Sequence, residues 1–298
     1  MPNSRRDTLV SKYLNKDKHT IEAEMSFFDH LEELRWHIIR SVIAISVFTG
    51  IAFSYKEFVF DNIILGPKNT DFWTYRMMCH LAAKYNLEDF CVSKINFVIM
   101  NTELSGQFMI HLNSSIMLGI ALAFPYFIWE LWRFIRPALK SAERRYASGL
   151  IFFISLLFFL GMLFGYFIIV PLTIVFLGSY TVSTEIINQI SLDSYLSTLG
   201  ILSIGCGITF EMPIVIYFLS KLGFVTPKLL RSSRRYAVVI ILLIAAFITP
   251  SPDMMTQTIV ALPLFILYEI SIFVSAGVAK NKARKEALEE EEYSNDRK

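Results

Sequence analysis

The chain has 298 residues, of which 54% are hydrophobic and 18% charged, and its net charge is +2. An ordinary soluble domain carries roughly a quarter charged residues, so this composition argues against that class. The total charge says little, but its distribution is informative: the apolar residues fall in long blocks separated by short basic segments, the pattern of membrane spans.

Met1 to Glu24 is polar and holds Arg5, Arg6, Lys12, Lys16 and Lys18 without an apolar core, so nothing there reads as a cleavable signal. Phe27, Leu31 and Leu34 share one helical face, which predicts an amphipathic helix at the membrane surface with Glu33 beside that face. Trp36 to Ser54 is the first predicted span. A long outer loop, Tyr55 to Phe108, follows and holds Cys79 and Cys91. These two could form a disulfide if the loop is extracytoplasmic; two free thiols is the equal alternative. Ile110 to Trp132, Ser148 to Val170 and Leu196 to Leu222 are the next spans. Ala237 to Thr249 is a short fifth, and Ile259 to Ala276, interrupted by Pro263 and Glu269, is the sixth. Glu286 to Lys298 reads as a solvated, disordered charge run.

Lys and Arg crowd cytoplasmic loops. They cluster before the first span, between the second and third (Arg133, Arg136, Lys140, Arg144, Arg145), between the fourth and fifth (Lys221, Lys228, Arg231, Arg234, Arg235), and after the sixth. Thr173 to Tyr195 and Pro250 to Gln257 have none. The expected architecture is therefore an all-α integral membrane protein with six spans and both termini inside. One membrane domain, 25–278, lies between a polar extension, 1–24, and a charged tail, 279–298. The fifth span is needed for this alternation, and its shortness predicts a locally thinned membrane around the last two spans.

Charges inside spans default to function. Glu211, in Phe210-Glu211-Met212-Pro213, is the clearest; it needs a proton or a polar partner, and Pro213 predicts a kink beside it. A carboxylate that merely ties helices together is the plainer reading. Glu269 is similar, with Tyr268 and the cytoplasmic end available to satisfy it. Glu130, between Trp129 and Trp132, reads equally as an interfacial acid near Arg133. Glu33 and Glu143 lie at one membrane surface, and two carboxylates there could hold two adjacent arginines of a partner. Asp253 and Gln257 sit in an outer turn between the last two helices. No Walker loop, metal spacing among the five histidines, or Gly-x-Ser-x-Gly elbow is present, which argues against catalysis and against a cofactor.

His30-Leu31-Glu32-Glu33-Leu34-Arg35, Leu65-Gly66-Pro67, Pro137-Ala138-Leu139 with Glu143-Arg144-Arg145, Gly165-Tyr166-Phe167, Phe210-Glu211-Met212-Pro213, Thr249-Pro250 and Glu269 occur in order. In this the chain resembles the TatC family, the multi-spanning receptor of the twin-arginine protein translocase. The resemblance implies a bacterial cytoplasmic-membrane protein and a cupped bundle with short fifth and sixth helices. It implies a signal-peptide site of Glu33, Glu143, Arg35, Phe134 and Arg145. It also implies groove or partner contacts at Glu211, Glu130, Glu269, Asp253, Gln257 and Pro67. TatA- and TatB-type single-span partners, several copies per complex, and movement of folded proteins by the proton-motive force belong to the same expectation. The chain departs from the family pattern at His37, often Arg or Lys, and at Glu130, often Gln. Its first outer loop is longer by roughly twenty residues, enough to hold its own small structure. The competing readings are a proton-coupled small-solute transporter with Glu211 and Glu269 as relay, and a membrane scaffold without ligand chemistry.

Overall fold

The computed structural model describes residues 27–85, 91, 97–135, 147–183, 188–249 and 254–295. Long apolar runs form helices because a helix satisfies its own backbone, the requirement for crossing lipid. Helix α1 covers Phe27–Ser54, so the amphipathic segment and the first span are one continuous helix. A one-turn helix Lys56–Phe58, a π-helical turn Val59–Ile64 and a 3-10 turn Gly66–Lys68 lead into α2, Trp73–Tyr85. Helix α3 is Gly106–Ile135. Helix α4, Ala147–Phe164, passes through a π-helical turn, Gly165–Ile169, into α5, Val170–Ser179. Then come α6, Leu192–Phe210, α7, Met212–Lys221, and α8, Pro227–Ser232. Helix α9 is Arg234–Ile248, and α10 is Met254–Asn295.

Among the described residues, five helical stretches are long and apolar enough to cross a membrane: Leu31–Ser54, Gly106–Ile135, Gly149–Ser179, Leu192–Lys221 and Gln257–Arg284. Helix α9 falls short, since its 15 residues rise only about 22 Å. The sequence reading of the last helix needs correction. It is not short: α10 runs for 42 residues and carries the charge run with it to Asn295, where disorder was expected. The tail residues Ala, Leu, Glu and Lys are strong helix formers, and Pro263 removes only one donor from the ladder. Among the described residues the fold also departs from all-α at one point. Strands β1, Val98–Met100, and β2, Gln189–Ser191, pair in parallel, with Ile99 opposite Ile190. They join the segment before α3 to the segment before α6.

Helix α1 packs along α3, α4 packs on α6, and α10 packs on α7 and α9. The core includes Ile169, Val170, Leu202, Ala245, Leu264 and Ile272. Outside it, α1 exposes Trp36, Val42, Ile43 and Val47, and α9 exposes Val239, Ile240, Leu243 and Phe247. Apolar faces of this extent belong against hydrocarbon. The α4–α6 contact depends on absent side chains. A Cβ on Gly161 would lie 2.6 Å from Phe210 Cβ, and one on Gly165 would lie 2.8 Å from the Leu202 carbonyl oxygen.

The long connection between α1 and α3 is built onto these helices. Pro171 has no N–H, so the Phe167 carbonyl loses its helical donor, and the Thr74 hydroxyl of α2 donates to that carbonyl instead. The Tyr75 hydroxyl donates to the Pro67 carbonyl at 2.7 Å, Tyr166 to Ile63 at 2.6 Å and Tyr195 to Ile64 at 2.8 Å. Burial pushes the Tyr75 phenol above its ordinary range, so it remains a donor. Cys79 of α2 is joined to Cys91 by a disulfide.

Candidate functional site

Two of the described carboxylates, Glu33 and Glu130, lie where the first turns of α1 meet the last turns of α3. Glu33 and His37 stand one turn apart on α1, and Tyr126 and Glu130 one turn apart on α3, so each pair shares a face. Glu130 is fully buried and His37 nearly so. The Tyr126 hydroxyl donates to Glu130 Oε1 at 3.0 Å, and His37 Nδ1 bonds Glu130 Oε2. An Arg40 guanidinium nitrogen lies 4.0 Å from the same Oε2. A carboxylate taken out of water costs several kcal/mol unless paired and hydrogen-bonded, and here both oxygens are engaged. The other imidazole nitrogen, His37 Nε2, points to Glu33 Oε1 at 4.0 Å. Glu33 Oε2 is buried without a hydrogen-bond partner. The Phe134 ring meets the His37 imidazole edge-on, with centroids 6.0 Å apart.

Sequence reasoning placed Glu130 near Arg133. The structure gives it His37 and Tyr126 instead, while Arg133 lies over the Trp129 ring, 5.8 Å from its centroid. Tyr126 was legible as an i−4 neighbour. The His37 contact spans 93 positions and had no local signal beyond the unusual residue at each end. Arg35 is exposed. Glu143, Arg145 and Asp253 lie outside the described residues.

The other candidates are dispersed. Glu211 sits at the break between α6 and α7, and its Oε1 is buried without a hydrogen-bond partner. A largely apolar cavity of about 440 Å³ is lined by Asn62, Met117, Met162, Tyr166, Leu199 and Ser203 among others; Glu211 is not part of its wall. Glu269 is bonded by the Arg234 guanidinium at 2.7 Å, whereas Tyr268 donates to the Leu230 carbonyl at 2.7 Å. The Gln257 amide ties α10 to the Leu242 carbonyl of α9 at 2.9 Å. Pro67 is buried, and its carbonyl accepts from Tyr75. Among the described residues no group of His, Cys, Asp and Glu could hold a metal ion.

A family model described as Sec-independent protein translocase protein (TatC) matches residues 29–263. The protein of that name from Blattabacterium sp. subsp. Periplaneta americana is 40% identical over 261 residues, which cover 87% of this chain and 98% of that protein. The Aquifex aeolicus protein of that name is 36% identical over 259 residues, covering 87% and 98%. Among solved structures, a crystal structure of the twin arginine translocase receptor TatC aligns with a TM-score of 0.63 at 35% identity, covering 84% of this chain and 99% of that one. A second, of the same receptor in DDM, aligns with a TM-score of 0.65 at 37% identity, covering 83% and 99%.

Proposed function

This chain belongs to the TatC family of Sec-independent protein translocase proteins, and from that membership we propose that it is a receptor for twin-arginine signal peptides. The observation that carries the reading is Glu33. Its carboxylate stands at the start of the first apolar helix with one buried oxygen that no group of the described chain engages. A guanidinium supplies paired donors in the geometry a carboxylate accepts. Glu33 receives one arginine and Glu143 the other, with Arg35, Phe134 and Arg145 around them. The apolar stretch of the peptide lies along the exposed helix faces. The chain binds and hands on cargo without making or breaking covalent bonds. TatA- and TatB-type single-span proteins complete the translocase, several copies of this chain serve one complex, and the proton-motive force drives folded proteins across the bacterial cytoplasmic membrane. Glu211, Asp253, Gln257 and Pro67 serve groove or partner contacts.

Six spans with both termini in the cytoplasm complete the reading. The clusters of Lys and Arg support this orientation, and so does the Cys79–Cys91 disulfide, because disulfides persist in oxidising compartments. In this topology α9 is the fifth span, and the bilayer thins to meet it. What speaks against the transporter alternative is that Glu269 is paired with the Arg234 guanidinium and Glu211 has no such partner.

Site-specific crosslinking of a twin-arginine peptide tests the receptor role. Glu33→Gln and Glu143→Gln each remove a charge-assisted hydrogen bond of about 1.5–3 kcal/mol, so crosslinking falls roughly tenfold or more in each. Unchanged crosslinking in both variants removes the assignment. Solute uptake by the protein reconstituted alone would favour the transporter.

A further inference from the structure

Helix α7 ends on a closed turn. The Gly223 N–H donates to the Ser220 carbonyl at 3.1 Å and the Phe224 N–H to the Leu219 carbonyl at 2.9 Å. This closure needs a left-handed residue between them, and Gly223 supplies it with φ of +86°. The Thr226 hydroxyl then caps α8 by accepting from the Leu229 N–H at 3.3 Å, and Pro227 opens that helix where no donor is needed. Leu230 is buried, and Tyr268 of α10 donates to its carbonyl at 2.7 Å. The stretch from α7 to α9 is thus a shelf pinned onto α10. Its outward side mixes apolar and cationic groups. Phe224 is 74% exposed and Leu229 51%. Lys228 and Arg231, one turn apart on α8, are exposed beside them. Arg235 shares a face of α9 with the exposed Val238 and Val239, so it continues the stripe that belongs against hydrocarbon. No Asp or Glu occurs from Met212 to Ser251. Glu269 of α10 is taken by Arg234, and Lys228, Arg231 and Arg235 pair with no carboxylate among the described residues.

We propose that the α7–α9 shelf is a binding site for an anionic phospholipid. Phe224 and Leu229 enter the boundary between headgroups and acyl chains, where apolar side chains flanked by cations are favoured. Lys228, Arg231 and Arg235 receive the phosphate oxygens in charge-assisted hydrogen bonds. Each cation beside an anionic surface favours binding by about fivefold. A soluble acidic partner matches the cations but leaves Phe224 and Leu229 without a counterpart, whereas a bilayer matches both and is continuous with the exposed stripe of α9. Basic residues that serve only to set topology confer no preference among lipids. The inference stands apart from the receptor reading, since it uses none of the peptide-site residues.

Native mass spectrometry of the full chain in detergent tests the site, with equal amounts of phosphatidylglycerol and phosphatidylcholine carrying the same acyl chains. The wild type retains phosphatidylglycerol over phosphatidylcholine by about fivefold or more, and the preference falls as salt rises. Joint replacement Lys228→Gln, Arg231→Gln, Arg235→Gln abolishes the preference. Phe224→Ala with Leu229→Ala lowers retention of both lipids. Lys280→Gln, Lys282→Gln, Arg284→Gln removes the same charge from α10 and leaves the preference intact. Thermal unfolding shows which variants are folded, and the three single replacements on the shelf, each lowering the preference in part, decide the matter if the joint variant is not. Equal retention of the two lipids by the wild type overturns the inference. So does a preference that survives the shelf replacements or disappears with those on α10. A two-chain mass that the shelf variants lose, with equal retention of both lipids, overturns it in favour of a second copy of this chain.

Discussion

At the scale of single residues, the informative feature is a buried acid with its partners supplied from another helix. Glu130 is enclosed by Tyr126, His37 and Arg40. Removing one member of such a group strands the other charge in a dry place, which costs about 3–5 kcal/mol. Glu130→Ala should therefore lower the unfolding midpoint in detergent sharply, and Glu130→Gln less, since an amide still accepts from Tyr126. A His37→Leu, Glu130→Leu double replacement should recover most of the loss, because no stranded charge remains. A double replacement no more stable than Glu130→Ala would show that the pair stabilises for another reason. The sequence flagged both residues singly as unusual. It gave no means of joining them, since pairing across two helices depends on how the helices are rotated against each other.

At the scale of elements, proline and tyrosine organise the long connection between α1 and α3. Pro171 frees the Phe167 carbonyl, Thr74 takes it, and three tyrosine hydroxyls hold the carbonyls of Ile63, Ile64 and Pro67. Tyr195→Phe leaves the buried Ile64 carbonyl without this donor and should cost about 1–3 kcal/mol, read from chemical or thermal unfolding. The Cys79–Cys91 disulfide closes a short loop, for which chain entropy implies about 3 kcal/mol of local constraint. Cys79→Ser should speed limited proteolysis between α2 and β1, with little change in the helices beyond. Gly161→Leu should separate α4 from α6, because the space it needs already holds Phe210 and the Cys206 carbonyl; a cost of about 1–3 kcal/mol or more is expected. Hydropathy located the long helices well. The loop's internal structure was hidden because its contacts are hydrogen bonds between single side chains and distant carbonyls.

At the scale of the whole molecule, the proposed topology makes α9 the fifth span. A helix rising about 22 Å cannot cross about 30 Å of hydrocarbon without thinning the bilayer or tilting its neighbours. The reconstituted chain should thus unfold at a higher temperature in lipids with shorter acyl chains than in long-chain lipids. The opposite order would count against α9 as a span. What the sequence determined alone was the membrane class, the order of the long helices, the basic clusters and the resemblance to TatC, because hydropathy, charge and motif order are written locally along the chain. Only the tertiary structure decided that two distant loops meet in a parallel strand pair and that Glu269 belongs to Arg234. The same holds for Glu130 and His37. Those facts turn on which faces of separate helices meet, and a face acquires its partner only when the helices pack.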